Sequence, residues 1–433
     1  MLLGPRLIAA IMRGFCFAAT PRESPGSEPQ ISMTRKRILF LAEGATMAHF
    51  TRPLVLAEAL DRRRYDIFFY APSRFSAYLS DKPFATGELE TMPGEQFLEN
   101  LSKGAPLFPP DIVRRYVKQD QDLISSIRPD LIVGDLRLSL PISASLESTA
   151  CAVITNAYWS PHAKHRAIIP ALPLTRVVPP RLLVPVYKLA EPLAHAVHVG
   201  QLNTVRKEFG LPPIPLDARA MFTEGTYVLY ADVPEFVPTH NLPGNHHYMG
   251  ICQWTPPTPK PDWWDRMTAD GKPKVFVALG SSGSLRVLPA LLAALSRLPV
   301  SLLVATSGRP MPPTTSEAYV AELLPLSETT EKSSVVVCHG GSSGCYPAIA
   351  SGTPVLGIPS NADQQLATAV LEESGAGLGV RVEEASEKRL FRTLEKLLFT
   401  PQYRQAAQKW ATVFKRYDSG ALFRQFVNET LGE

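Results

Sequence analysis

The apolar runs of this chain all fall short of the roughly 18 residues that a membrane-crossing helix needs. Cysteine is scarce. Cys16, Cys151, Cys252, Cys338 and Cys345 are odd in number, widely spaced and form no C-x-x-C pair, which excludes a zinc-finger framework and fits a reducing compartment. A charge bias is missing too: a formal +4 over 433 residues argues for no particular polyanion, so no nucleic-acid partner is expected. The dinucleotide fingerprint G-x-G-x-x-G is absent. G-G-S-S-G at Gly340 has other spacing, and G-A-G-L-G at Gly375 follows a helix and enters a strand. Metal-ligand clusters are lacking as well. His246-His247 has no carboxylate or cysteine neighbours, His162 and His165 line the cleft or solvent, and D-Q-D at Asp120 to Asp122 reads as a solvated helix face.

What the chain has is a globular composition, 45% hydrophobic and 19% charged, at a length that calls for two domains. Residues 1–34 loosely resemble a signal peptide, but Arg6 and Arg13 interrupt the apolar core and P-R-E-S-P-G-S-E-P-Q reads as linker. A disordered or mis-assigned extension is expected there, with the protein in the cytoplasm and peripheral contact to the inner face of the membrane left open. From Arg35, the strand R-I-L-F-L-A-E-G, the helical P-L-V-L-A-E-A-L and the strand Y-D-I-F-F-Y-A-P form the unit of a parallel sheet. The theme returns at Ile127 to Asp135 and at Ala150 to Ala157. It restarts with K-V-F-V-A-L-G-S-S-G-S after the proline-rich bridge W-T-P-P-T-P-K-P-D-W-W-D.

The expected fold is therefore α/β, two doubly wound parallel-sheet domains facing across a cleft. Their expected bounds are 35–253, a linker over 254–273, 274–412, and a C-terminal helix over 413–433 that packs back on the first domain. The apolar, basic, proline-broken stretch Arg166 to Lys188 shows no clean sheet unit and is expected as a loop.

Two glycine turns carry the chemistry. Gly340, Gly341 and Gly344 follow V-V-V-C-H, and C-Y-P-A-I-A can start a helix with Pro347 near its first turn, so exposed amides and the helix dipole make a phosphate seat. G-S-S-G-S at Gly280 to Ser284 offers a second set, and two such loops in one domain suggest a diphosphate. H-G-G also resembles the oxyanion loop of a hydrolase, but no G-x-S-x-G nucleophile elbow is expected in the chain to go with it.

Taken whole, H-G-G-S-S-G-C-Y-P-A-I-A-S-G-T-P-V-L-G-I-P-S-N-A-D-Q resembles the donor-binding signature of the family 1 glycosyltransferases, the nucleotide-sugar-dependent, metal-independent, inverting enzymes of the GT-B fold. The match is carried by His339 and Gly341, Ser343 to Cys345, Gly352 and Pro354, Pro359, then Asp363 and Gln364. The resemblance implies that Gly280, Ser281, His339, Gly341, Ser343, Gly344 and Cys345 hold the donor diphosphate, while Asp363 and Gln364 hydrogen-bond sugar hydroxyls. It implies a catalytic base, His49 in A-H-F-T-R-P, with one residue more before the proline than the family's His-x-x-Pro, and Asp135 as its partner. It also implies a nucleotide sugar as co-substrate, no metal and no other cofactor. Pro347 stands where members using uridine diphosphate carry a ribose-binding Glu, which turns the expected donor toward a dTDP-sugar and leaves a UDP-sugar open. The acceptor implied is small and lipophilic, because Arg166 to Lys188 falls where the family builds its acceptor pocket. Two alternatives stay open: a nucleotide-sugar epimerase or hydrolase on the same fold, and a catalytically silent nucleotide-binding partner protein.

Overall fold

In the computed structural model residues 35–432 are described, apart from 170–174, 176–177, 179 and 313–317; the extension expected over 1–34 lies outside them, as does part of the Arg166 to Lys188 stretch. β1 (Lys36–Ala42) is buried from Ile38 onward because it lies mid-sheet with apolar cores on both faces, which is why I-L-F-L-A is a continuous apolar run. Around it stand β2 (Tyr65–Ala71), β3 (Ala85–Glu88), β4 (Leu131–Asp135), β5 (Cys151–Thr155), β6 (Tyr227–Tyr230) and β7 (His246–Tyr248), in the order β3-β2-β1-β4-β5-β6-β7. A second parallel sheet holds β8 (Lys274–Ala278), β9 (Ser301–Ala305), β10 (Ala318–Ala321), β11 (Val335–Cys338), β12 (Val355–Gly357) and β13 (Gly377–Gly379), in the order β10-β9-β8-β11-β12-β13.

Each sheet reverses its winding once, between β1 and β4 and between β8 and β11. Loops on the two sides of such a switch point diverge at the carboxyl ends of the strands and leave a crevice there. The register decides which residues meet in it. Ala42 pairs with Asp135 at the first switch point and Ala278 with Cys338 at the second, so the loops at His49 and Gly280 open beside Asp135 and His339.

Phe236, after β6, packs edge-on against Tyr346, Trp410 and Phe414 and ties the two sheets together. The last helix, Ser419–Leu431, returns to the first sheet, with Phe423 against Phe40 and Arg424 donating to the carbonyl of Ala59. In the proline-rich bridge Trp254 packs on Phe50 and Tyr78, and Trp264 is buried in a short helix, Trp264–Ala269.

Two expectations need correction. Pro180–Glu208 is a 29-residue helix, not an irregular loop, and Pro185 and Pro192 lie within it. Both prolines are exposed, where water can satisfy the carbonyls that lose an amide partner. Asp120 is fully buried rather than solvated, although Asp122 is exposed. Asp120 accepts from Arg137 (2.9 Å), Ser139 and Ser143, and Arg137 stacks on the Tyr116 ring.

The same arginine stands 3.3 Å from Glu43, which lies in the loop leading to His49. Burial, opposed by Arg137, pushes the Glu43 carboxyl from 4.5 to about 7. Folded Glu43 keeps its proton up to that pH, whereas the unfolded chain releases it near 4.5. The native state therefore binds more protons in that window, and stability falls as pH rises through it. Glu43→Gln should remove most of this slope and raise stability at pH 8 by about 3 kcal/mol, leaving it unchanged near pH 4. Urea unfolding at the two pH values checks this; an equal shift at both would place the effect in packing.

Candidate active site

His49 sits in the first turn of the helix Met47–Ala59, and its Nδ1 lies 2.7 Å from Asp135 Oδ1 at the end of β4. Arg52 Nη2, which only donates, stands 3.1 Å from the same Nδ1. The shorter contact is to a carboxylate that only accepts, so the imidazole proton is assigned to Nδ1 and the lone pair to Nε2. The extra residue ahead of Pro53 therefore does not separate the pair. That residue is Arg52, which sequence inspection missed. It is buried, donates from Nη2 to Asp135 Oδ1 at 2.8 Å, and places Nε 2.7 Å from Asp135 Oδ2. Its three-residue offset from His49 on one helix was the available signal, since such residues share a face.

From Arg52 a buried polar chain crosses to the second sheet. Arg52 Nη1 donates to Asn156 Oδ1 at 2.8 Å, and the Ser342 hydroxyl reaches the same oxygen at 3.2 Å. Asn156 Nδ2 donates to Asp232 at 3.0 Å, which also accepts from the amide of Ala157 and from the Tyr346 hydroxyl. Burial raises the Asp232 carboxyl above its ordinary range, against those hydrogen bonds. None of these polar residues except Arg52 lies within the matched motifs of the first domain, and no local pattern pairs them.

The donor end is built from turns. Gly280 and Gly340 adopt left-handed backbone, φ +59° and +82°, which their positions require of glycine. Arg309 donates to the carbonyls of Gly280 and Gly283 at 2.7 Å and braces that turn. The helix after β11 starts at Ser342, three residues earlier than C-Y-P-A-I-A suggests, so Pro347 lies inside it. The Ser342 and Ser343 amides, as its first two, have no carbonyl in their own helix to bond. The Gly344 and Cys345 amides already donate to the Gly341 carbonyl at 3.0 Å.

Cys345 is buried with its sulfur 3.7 Å from that of Cys338, facing away from the cavity, and Ser281 is exposed outside it. Ser282, Ser284 and Ser342 line it instead, beside Ser343 and His339. The turn's outward residue cannot be told from its inward ones by sequence alone. His339 Nδ1 accepts from the Gly341 amide at 3.1 Å, which leaves the proton on Nε2; burial holds its pKa below the ordinary value.

Asp363 Oδ1 accepts from the Tyr158 hydroxyl at 3.0 Å and from Trp159 Nε1 at 2.9 Å, both after β5. Gln364 Oε1 accepts from the amide and hydroxyl of Ser360, each at 2.9 Å, and its Nε2 lies 3.4 Å from the Ser282 hydroxyl. One cavity of about 560 Å³ is lined by His49 and Asp135 from the first sheet and its connections and by His339, Ser343, Asp363 and Gln364 from the second's. Part of its lining is an apolar cluster of the first domain, Phe97, Leu101, Leu107, Leu138, Met221 and Phe222. Among the described residues no group of three His, Cys, Asp or Glu is arranged to hold a metal ion. Gly340, Ser342 and Gly344 do carry the G-x-S-x-G spacing of a hydrolase nucleophile elbow. Ser342 lacks the strained, positive-φ backbone of such an elbow, and its hydroxyl meets Asn156 rather than an imidazole.

Two doubly wound parallel sheets with a shared cavity lined by the His49–Asp135 pair and the glycine-serine turn at His339 define a two-domain glycosyltransferase fold. Residues 215–418 match the family model described as UDP-glucoronosyl and UDP-glucosyl transferase. The chain is 40% identical over 392 residues to the PGL/p-HBAD biosynthesis glycosyltransferase of Mycobacterium tuberculosis (strain ATCC 25177 / H37Ra), covering 90% of this chain and 91% of that protein. It is 38% identical over 429 residues to the PGL/p-HBAD biosynthesis rhamnosyltransferase of Mycobacterium bovis (strain BCG / Pasteur 1173P2), covering 99% and 94%. Spinosyn rhamnosyltransferase SpnG complexed with thymidine diphosphate shares the fold, with a TM-score of 0.64 at 17% identity over 91% of this chain and 100% of that one. The protein belongs to this glycosyltransferase family and is an enzyme of the hexosyltransferase type.

Proposed function

We propose that this glycosyltransferase inverts the anomeric carbon of a dTDP-deoxysugar, without a metal, while joining it to a hydroxyl of a small lipophilic acceptor. The observation that carries the proposal is one cavity lined both by His49 and by the glycine-serine turns of the second domain. His49 Nε2 takes the acceptor proton as the acceptor oxygen bonds to the anomeric carbon. The bond from that carbon to the diphosphate oxygen breaks on the opposite face. Asp135 stabilises the imidazolium that forms. The leaving charge is met by the Ser342 and Ser343 amides, His339 Nε2–H and the hydroxyls of Ser282 and Ser284, donors already in place before the reaction. Asp363, with one oxygen held by Tyr158 and Trp159, and Gln364 orient the sugar.

The dTDP donor is supported by Pro347, which cannot accept a bond from a ribose hydroxyl, and the deoxysugar by the rhamnosyltransferase relative. A cytoplasmic location, with peripheral contact to the inner face of a membrane, fits the apolar part of the cavity lining; no described helix is long and apolar enough to cross a bilayer. Calorimetric titration in buffer containing EDTA should show dTDP binding about tenfold tighter than UDP, the 1.4 kcal/mol of one ribose hydroxyl left without a partner. Tighter UDP binding would overturn the donor assignment. Failure of both to bind would favour the silent partner.

A further inference from the structure

The helix Pro180–Glu208 has its apolar side on the wrong face for a helix of a water-facing shell. Five of the ten large apolar side chains exposed among the described residues belong to it: Leu182, Val186, Leu189, Leu193 and Val197, 50–86% exposed. Their spacing of four, three, four and four residues puts all five on one stripe. The opposite stripe carries Tyr187, Glu191, His195 and His198, which line the cavity, and Glu191 pairs with His165 at 3.1 Å. So the polar side faces the inside of the protein and the apolar side faces out. Contiguous exposed apolar surface of this kind marks a contact site.

Charge selects the partner. Between Ser160 and Gly200 stand five Lys or Arg and one acid, Glu191, so this segment has a net charge of +4, as large as that of the entire chain. Glu191 is turned to the cavity, whereas Lys188 on the helix flank is exposed. Lys164 and Arg166 are paired with Glu373, but from Leu182 to Val197 the helix carries no acid on its outward side. An apolar stripe with the exposed Lys188 on its flank matches a bilayer containing anionic phospholipid.

We propose that the outer stripe of Pro180–Glu208 docks on an anionic phospholipid bilayer and sets the acceptor cavity one helix away from the lipid. The stripe then lies in the headgroup boundary, and an apolar acceptor passes from lipid to the apolar lining at Phe97 and Phe222 without crossing bulk water. This purpose rests on the glycosyltransferase reading above; the docking itself does not.

The test is sedimentation of the full chain with sucrose-loaded vesicles, of phosphatidylcholine alone or of equimolar phosphatidylcholine and phosphatidylglycerol. Transfer from dTDP-rhamnose to p-cresol, a water-soluble acceptor, is measured in parallel. Wild type should sediment with the anionic vesicles, and Leu189→Glu/Leu193→Glu should weaken that partition at least about tenfold with turnover on p-cresol unchanged. Leu189→Trp supplies a second readout, a blue shift of its emission on anionic vesicles that rests on no loss of fold. Wild type left in the supernatant with both vesicles overturns the proposal, as does equal binding of the double variant. A dimer in sedimentation velocity that the double variant dissociates would also overturn it, making a second copy the occupant. Vesicle binding without transfer to any alcohol would sink the transferase reading and leave the surface standing; transfer without vesicle binding would do the reverse.

Discussion

Replacing His49 with alanine should lower kcat by about 10²–10⁴-fold and leave the dissociation constant for dTDP within a factor of about two. The split follows from where the ring sits. His49 lines the cavity and hydrogen-bonds Asp135, not His339, Ser343 or Asp363, so removing it leaves the proposed donor-side partners in place. Folding should hold as well, because Asp135 keeps its ion pair with Arg52 when the imidazole is gone. Rate loss at unchanged donor affinity is the mark of a group that acts at the transition state. Steady-state kinetics at saturating donor, paired with dTDP titration, reads both quantities. A variant that keeps more than a third of wild-type turnover would remove His49 from the chemistry, and one that loses dTDP binding would place it in the donor site.

Much of this arrangement is legible in the chain because it is local. β1, β4 and β11 are buried on both faces, so their apolar runs mark central strands, and the residues that follow a central strand in a doubly wound sheet are those that reach the crevice. His49, Asp135 and His339 stand at such positions and line the cavity. Ser281 fails the same logic by one position, since a turn rather than a strand decides which hydroxyl points inward.

The long helix Pro180–Glu208 is hidden for a different reason: two prolines and an outward apolar stripe contradict the usual signs of a surface helix. Asp120 looks solvated because its partners, Arg137 and Ser139, come from the far side of β4. The chain of Arg52, Asn156, Asp232 and Tyr346 spans 294 positions of sequence from end to end, as the numbering gives. No pattern with a period can announce contacts that only the assembled sheets create.

That chain makes Arg52 the residue with the largest expected effect on stability. Arg52→Met keeps the length of the side chain but leaves Asp135, 1% exposed at its side chain, without its cation. Breaking a buried ion pair from one side costs about 3–5 kcal/mol, since the remaining charge stays desolvated. Turnover should fall too, because an unpaired Asp135 is held only by His49 and the hydroxyl of Ser342 loses the order that Arg52 imposes on Asn156. Arg52→Met/Asp135→Asn removes both charges and should recover more than half of the lost stability. Its activity should stay low, since a neutral amide cannot stabilise the imidazolium of His49. Urea unfolding of the four members of this cycle gives the coupling directly. If Arg52→Met unfolds within about 1 kcal/mol of wild type, Asp135 is not an unpaired charge in that protein, and the case for a charged partner behind His49 fails with it.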